Sequence, residues 1–350
     1  MANFFVLHPV VRMAEHCALP EIKRGIPFVP MVTGSFQNYI LVFIVLALSG
    51  CGSRLQRHRD LLIGRPALSV RSPAGDEVQI TYLGTNGYLI RSRETSIVVD
   101  PFFSRISLGK VIVNGRCSSS PDSVSKYTEV AAFPNKVDAW LVTHSHYDHL
   151  MDVPSLQRKY GGKIISSATG SFLSQAVDPD IKSSDLIAAV PGKSYMVGKT
   201  KIRVMTSKHD RVAGFIPIPG LISEPLSNAP NRPNDWKVGA PLAFLIEIAG
   251  KRIYVDSGGL PGHLPPVSDV DLAILGVAVG DGQRRFVETV QALKPRYILP
   301  SHQDNFFIPL DKGFRFSAIS KFPKLKREFE EGDFSGELIL MDYFQTWVLE

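Results

Sequence analysis

Residues 138–149, Asp138-Ala139-Trp140-Leu141-Val142-Thr143-His144-Ser145-His146-Tyr147-Asp148-His149, set an apolar run directly against a cluster of coordinating side chains. Asp138–Thr143 reads as a β-strand that delivers the chain into the cluster. At a strand end, His144 and His146 are two residues apart, so they point to the same side and can chelate one ion. Asp148 and His149, on the turn that follows, can reach a second ion close by. Imidazole with carboxylate suits Zn²⁺ or Fe²⁺ and matches Ca²⁺ or Mg²⁺ poorly. A lone strand histidine is usually packing or surface. Three histidines and an aspartate within six residues need a different explanation.

Outward from this stretch, short strands recur: Val78–Leu83, Tyr88–Arg91 and Ser96–Asp100, with Gly84, Asn86 and Gly87 as turn punctuation. Asp152 is a candidate cap for a helix running to Tyr160 with Pro154 in its first turn. Lys163–Ser167 reads as a strand and Thr169–Val177 as a helix. The second half repeats the pattern, with strands at Lys201–Thr206, Leu242–Ile248, Arg252–Asp256, Val270–Leu275 and Arg296–Pro300. Gln283–Leu293 shows helical spacing of Phe286, Val287, Val290 and Leu293, and Glu337–Met341 is a candidate last strand. Strands followed by mixed strands and helices, twice over, predict an α+β fold: two sheets face to face with helices outside, a four-layer αββα sandwich. Ser104–Pro134 and Ala213–Pro241 fit no regular element. They flank candidate ligand segments and read either as walls of a cleft or as surface excursions.

The bulk composition excludes little. With 44% hydrophobic and 21% charged residues, the 350-residue chain is ordinary globular protein. Its net charge of +6 comes from 39 basic against 33 acidic residues without a dense basic block, so no nucleic-acid partner is expected. Three cysteines, Cys17, Cys51 and Cys117, cannot form a disulfide framework.

Tyr39–Leu48 is an unbroken apolar run of ten residues, short for a bilayer span but suited to the apolar core of a signal segment. Leu48-Ser49-Gly50-Cys51 follows at once and resembles the lipobox of bacterial lipoproteins. That resemblance implies a mature chain tethered to the membrane by lipid at Cys51, a cell-envelope location, and a start at Met31 with residues 1–30 as an upstream extension. Met31–Tyr39 lacks Lys and Arg, and Arg54, Arg57 and Arg59 follow the run, which the positive-inside tendency disfavours for translocation. An uncleaved anchor or a buried helix is the alternative. The expected organisation is a signal segment over 1–50, a linker over 51–77 with His58 solvated, and one domain over 78–350.

The HxHxDH run resembles the signature of the metallo-β-lactamase superfamily, and the resemblance covers about residues 78–310. It implies that His209, Asp256 and His302, each after or at the end of an expected strand, complete a dinuclear centre. His144, His146 and His209 would hold one ion, Asp148, His149 and His302 the other, and Asp256 would be shared. The implied cofactors are two divalent ions, Zn²⁺ first, with Fe or Mn as alternatives. The segments YLGTNGYLI (82–90), VVDPFFSR (98–105), HSHYDHL (144–150) and PSHQDNFF (300–307), with Trp236, are similar to the branch containing N-acyl-phosphatidylethanolamine phospholipase D and ascorbate-6-phosphate lactonase. Val255 departs from it, since many relatives have Gly before the bridging aspartate.

The resemblance implies a hydrolase in which a metal-bridged hydroxide attacks a phosphodiester, in a small molecule or a phospholipid. Lactone or ester hydrolysis on the same fold is the alternative, and a non-catalytic metal-binding envelope protein is the alternative from another class. Asp148 would orient the hydroxide as well as ligate. Tyr147 and His263 are the candidates for a general acid, and Asp100 and Asp152 for partners that fix the imidazole tautomers. Only 46 residues separate His209 from Asp256, which leaves no room for the large inserted domain of nuclease relatives. Oligomeric state is not legible in the sequence.

Overall fold

The computed structural model describes residues 55–212, 214–257, 266–278, 282–320, 322–332 and 334–350, with the backbone alone at 282–285. The expected signal segment, Met31, Cys51 and His263 lie outside the described residues. Among the described residues no helix is long and apolar enough to cross a membrane.

In chain order the first strands are β1 (Arg65–Pro66), β2 (Val78–Gly84), β3 (Gly87–Arg91), β4 (Ser96–Val99), β5 (Ala139–Leu141), β6 (Lys163–Ser166) and β7 (Leu186–Ala188). The second group is β8 (Ser194–Val197), β9 (Thr200–Thr206), β10 (Leu242–Ile248), β11 (Lys251–Asp256), β12 (Leu272–Gly276), β13 (Tyr297–Ser301) and β14 (Glu337–Leu338), followed by β15 (Gln345–Leu349). One sheet runs β1-β15-β2-β3-β4-β5-β6-β7 and the other β14-β13-β12-β11-β10-β9-β8. Each sheet changes from antiparallel to parallel pairing partway across, at β4–β5 in the first and at β11–β12 in the second. This is the α+β sandwich that the strand and helix order predicts.

Strand alternation builds its layers. On β3, β4 and β5, Tyr88, Ile90, Ile97, Val99, Ala139 and Leu141 belong to the large core shared by the two sheets. Their intervening neighbours Leu89, Val98 and Trp140 face a second core under the helices. Both faces are apolar because both are covered, which explains why these strands read as continuous hydrophobic runs. The helices over that face include α2 (Pro121–Val130), α4 (Val153–Tyr160) and α5 (Ala168–Val177), which contribute Val124, Val153, Leu156 and Leu173. Two others, α6 (Gly282–Leu293) and α7 (Phe322–Glu331), place Phe286, Val290, Leu293, Phe322 and Leu325 in the first core.

Several expectations need correction. Ser104–Pro134 is not irregular: it holds α1 (Leu108–Ile112), capped by Ser107, and α2, capped by Ser120 with Pro121 in its first turn. The serine content that suggested loop supplies helix caps. Glu337–Met341 yields only the two residues of β14, and the last strand is β15, which returns to pair antiparallel with β2. Residues 55–69, read as linker, pack on the domain: Leu55 is buried and β1 pairs with β15. His58 is not solvated. It is 9% exposed and lies edge-on to Phe316 and Phe322, with ring centroids 5.4 and 5.0 Å away. Asp152 precedes α4 but makes no cap hydrogen bond; its carboxylate accepts from Phe103 N, Ser104 N, Ser104 Oγ and Ser119 Oγ.

Gly84 closes the β2–β3 connection at φ +92°, and a Cβ there would lie 2.3 Å from Arg105 Nη2. Arg105 is pinned by a buried ion pair with Asp304, so it cannot yield cheaply. Gly84→Ala is expected to destabilise the fold by about 2–4 kcal/mol, whereas Gly75→Ala, also at positive φ but with open space around it, costs about 1 kcal/mol. Denaturant midpoints of the two variants check this contrast.

Candidate metal centre

β5 ends at Leu141, so the histidine cluster lies on the loop beyond it and on the short helix α3 (Tyr147–Leu150), not on the strand itself. His146 occupies the N-terminal cap position of α3, and its carbonyl accepts from the amides of His149 and Leu150, both at 3.0 Å. This one turn fixes the spacing of His146, Asp148 and His149. His209 follows β9 and His302 follows β13, so loops from both sheets meet here.

Two donor groups result. His144, His146 and His209 have ligating atoms within 4.8 Å of one another, and so do Asp148, His149 and His302. In the first, the ring centroids stand 4.6 to 4.8 Å apart and nearly perpendicular. In the second, His302 Nε2 is 3.2 Å from Asp148 Oδ2 and 3.3 Å from His149 Nε2. His144 and His149 link the groups at a centroid separation of 3.9 Å.

The carboxylate of Asp100 orders both groups. It is fully buried, and Oδ2 accepts from His149 Nδ1 and from Asn86 Nδ2, each at 2.8 Å. Oδ1 accepts from Thr143 N at 2.8 Å. The Thr143 hydroxyl also donates to Asp100 Oδ2, since a carboxylate oxygen accepts. Thr143 Oγ1 then accepts from Ser257 Oγ at 2.6 Å, and Ser257 Oγ accepts from His144 Nδ1 at 3.2 Å. The direction of this relay protonates Nδ1 of both His144 and His149 and turns each Nε2 lone pair toward the donor groups. Consistently, His144 Nε2 is buried without a hydrogen-bond partner among the described residues, as a nitrogen reserved for a cation would be. This orphaned nitrogen and the converging imidazole and carboxylate donors fit a borderline divalent ion.

Protonation agrees for the first group. Burial, helped by the neighbouring His209, pulls His146 down to about 3. Burial also lowers His209 to about 4 and His144 well below its ordinary value. All three are therefore neutral ligands near pH 7. Burial would lower His149 too, but the Asp148 and Asp100 carboxylates overcome it and push the group up to about 10, so in the metal-free protein its Nε2 carries a proton that a bound cation would displace to expose the lone pair. Burial would raise Asp148, yet the facing His149 and His302 hold its carboxyl well below the usual range.

The remaining residues fall as follows. Asp256 is buried at the end of β11, but its oxygens belong to neither group of three close donors; Ser207 Oγ and Tyr254 OH donate to them at 2.7 and 3.3 Å. Tyr147 is buried beside Phe102, and burial raises its phenol well above the ordinary value. His263 lies outside the described residues. Asp100 stands directly behind a proposed ligand, whereas Asp152 does not. Thr143, Ser257 and Asn86 were missed, since a single hydroxyl or amide has no periodic signature. Arg105, Asp304 and Tyr343 form a further buried network: Asp304 accepts from Arg105 Nη2, Tyr343 OH and Thr85 N at 2.9, 2.6 and 3.1 Å. Thr85 O in turn accepts from His302 N at 2.8 Å, which holds His302 at φ +54°.

Comparison with known proteins follows the same boundaries. The profile of the β-lactamase superfamily domain family matches residues 79–302, well over half of the chain. A protein of Desulforamulus reducens named UPF0173 metal-dependent hydrolase is 24% identical over 237 residues, covering 65% of this chain and 86% of that protein. Among solved structures, Igni18, a metallo hydrolase from Ignicoccus hospitalis, aligns at a TM-score of 0.50 and 18% identity over 78% of this chain and 99% of that one. A variant of CmlA, a diiron β-hydroxylase from Streptomyces venezuelae, aligns at 0.51 and 16% identity over 80% of this chain and 55% of that one. At these identities the two structures establish likeness of fold alone.

Two predictions follow from the geometry. Asp100→Asn keeps the shape but loses the charge that sets the relay, and is expected to weaken metal retention about 10- to 100-fold in competition with a chelator. In metal-free protein, His146 and His209 titrate below their unfolded value near 6.5. The unfolded chain therefore binds more protons, and stability falls as pH drops from about 6.5 toward 3, by up to ~1.4 kcal/mol per pH unit for each such imidazole. His149 acts oppositely, its contribution being full below about 6.5 and lost as pH rises toward 10. Denaturation midpoints measured across pH give both slopes.

Proposed function

The chain belongs to the β-lactamase superfamily domain family, and we propose that it is a metal-dependent hydrolase of phosphodiester bonds, including those of phospholipids. The observation that carries this reading is the pair of adjoining donor groups, His144–His146–His209 and Asp148–His149–His302, on the loops between the two sheets. Two divalent ions held there would supply Lewis acidity and lower the pKa of a water molecule, and Asp256, buried at the end of β11, is the further carboxylate that would help hold them. The chain's own residues do the rest. His144, His146 and His209 stay neutral and leave their lone pairs free. Asp148 stays ionised, and its carboxylate is the group that holds and orients a proton of the attacking water. Tyr147 keeps its phenolic proton at neutral pH, but burial beside Phe102 makes it a weak acid, so the leaving oxygen takes its proton from the water that the ions activate.

The surroundings favour a substrate with an apolar portion. Phe306 lies edge-on to His302 with ring centroids 5.0 Å apart and packs on Phe307. The lipobox-like Leu48-Ser49-Gly50-Cys51 supports a location at the cell envelope, tethered at Cys51. Cys51→Ser would then move the protein from the membrane pellet to the soluble fraction; unchanged pelleting would defeat the tether.

Metal-replete protein should hydrolyse bis(4-nitrophenyl) phosphate, and faster than it opens lactones or a chromogenic β-lactam. Asp148→Ala is expected to lower kcat/KM for the diester by about a thousandfold or more, with the fold retained. Turnover of lactones alone would select the alternative reaction on the same fold. A metal-loaded protein that turns over no member of the panel would sink the hydrolase reading.

A further inference from the structure

We propose that the rim beside the metal centre, carried by residues 108–116, 208–212 and 214–237, docks the protein onto an anionic lipid bilayer. Seven large apolar side chains are exposed among the described residues, and four of them sit on this rim: Val113 (73%), Phe215 (61%), Leu221 (71%) and Leu226 (38%). Scattered exposed apolar residues are ordinary, but four gathered on a small fraction of the chain are not. The segments bearing them are tied to one strip, residues 231–239. Cys117 N donates to Asn231 O, while Arg232 Nη1 and Asn234 N donate to the backbone and side-chain oxygens of Asn114. On the other flank Val238 N donates to Ile218 O and Gly239 N to Gly220 O.

Charge selects the occupant. The same segments expose Lys110, Arg116, Lys208, Arg211 and Arg232, and none of the five forms an ion pair among the described residues. The one exposed acid is Glu224; Asp235 is half-buried and taken up by the amides of Asn231 and Arg232, and Asp210 is buried. Apolar side chains that protrude singly between unpaired cations suit a headgroup layer, where each apolar group inserts and each cation meets a diffuse anionic surface. A folded protein partner calls instead for a continuous apolar patch with a matched rim. The rim adjoins the donor groups, since Ser145 N donates to Val238 O at 3.0 Å and Ile218 O lies beside His146. Docking there turns the site toward the membrane. The surface does not depend on which bond the enzyme cuts.

Hydrogen exchange of the full-length chain on phosphatidylcholine vesicles, with and without phosphatidylglycerol, tests the proposal without any turnover. Residues 108–116 and 214–229 are expected to exchange more slowly on the anionic vesicles alone, while Gly87–Arg91 in the core is unchanged. A protein carrying Lys110→Glu, Arg116→Glu, Leu221→Ser and Leu226→Ser should need about tenfold more lipid or greater for the same protection, with activity on bis(4-nitrophenyl) phosphate retained. The pair Lys110→Glu and Arg116→Glu gives the charge-only version should the fourfold variant not fold. Unchanged exchange at the rim, equal protection on neutral vesicles, or protection by an acidic polypeptide in place of vesicles would each overturn the proposal.

Discussion

The structure depends on the Asp100 carboxylate, a charge with no exposed surface placed at the end of β4. Burying such a charge is unfavourable by several kcal/mol unless hydrogen bonds replace its lost water. Here the replacements are His149 Nδ1, Asn86 Nδ2, and the amide and hydroxyl of Thr143. The donors come from the β2–β3 turn and from the segment after β5, so satisfying one anion aligns these with the end of β4. The same anion fixes imidazole tautomers in both donor groups, directly at His149 and through Thr143 and Ser257 at His144. The geometry of the centre is thus set one layer behind the atoms that would touch a metal.

Much of this was legible in the sequence, for physical reasons that can be named. The sandwich showed because both sheet faces are covered, so strands such as Ala139–Leu141 and Leu242–Ile248 read as apolar runs bounded by turn residues. The site showed because His144, His146, Asp148 and His149 are close in sequence as well as in space. His209 and His302 were reached through resemblance, and the loops after β9 and β13 do bring them to the cluster. What stayed hidden depends on partners far along the chain. β15 pairs with β2, and nothing local to Gln345–Leu349 announces a neighbour more than 250 residues earlier. His58 sits in a polar stretch, and only Phe316 and Phe322 make its position buried. Ser107 and Ser120 looked like loop residues because a helix cap uses the same residue types as a turn.

The fold alone does not choose the reaction. CmlA, a hydroxylase, and Igni18, a metallo hydrolase, share the architecture at similar likeness. The sheets provide strand ends, and what is hung there decides the chemistry. In this chain the first donor group is three neutral imidazoles and the second is a carboxylate with two imidazoles. Such a set accepts ions that polarise an oxygen and generate a nucleophile from water as well as it accepts non-haem iron, so hydrolysis is read from the named metal-dependent hydrolases among the relatives and not from the donors alone.

Asp100 has two counterparts that complete the picture. Asp152 takes hydrogen bonds from Phe103, Ser104 and Ser119, and Asp304 from Arg105, Tyr343 and Thr85. All three aspartates have no exposed surface. Long loops around a cleft lose conformational entropy when they are ordered, and apolar contacts at a solvent-facing rim are too few to offset that loss. A buried carboxylate does so differently, because it leaves no low-energy alternative to the one arrangement that satisfies it. Asp152 holds residues 103–119 against α4, Asp304 holds the loop carrying His302, and Asp100 holds the histidine cluster. The walls of the centre are therefore rigid where anions pin them. The rim beyond, where Phe215, Leu221 and Leu226 stand exposed, is held by backbone hydrogen bonds to residues 231–239 and by Thr169 at Ile222, and it turns these apolar side chains outward.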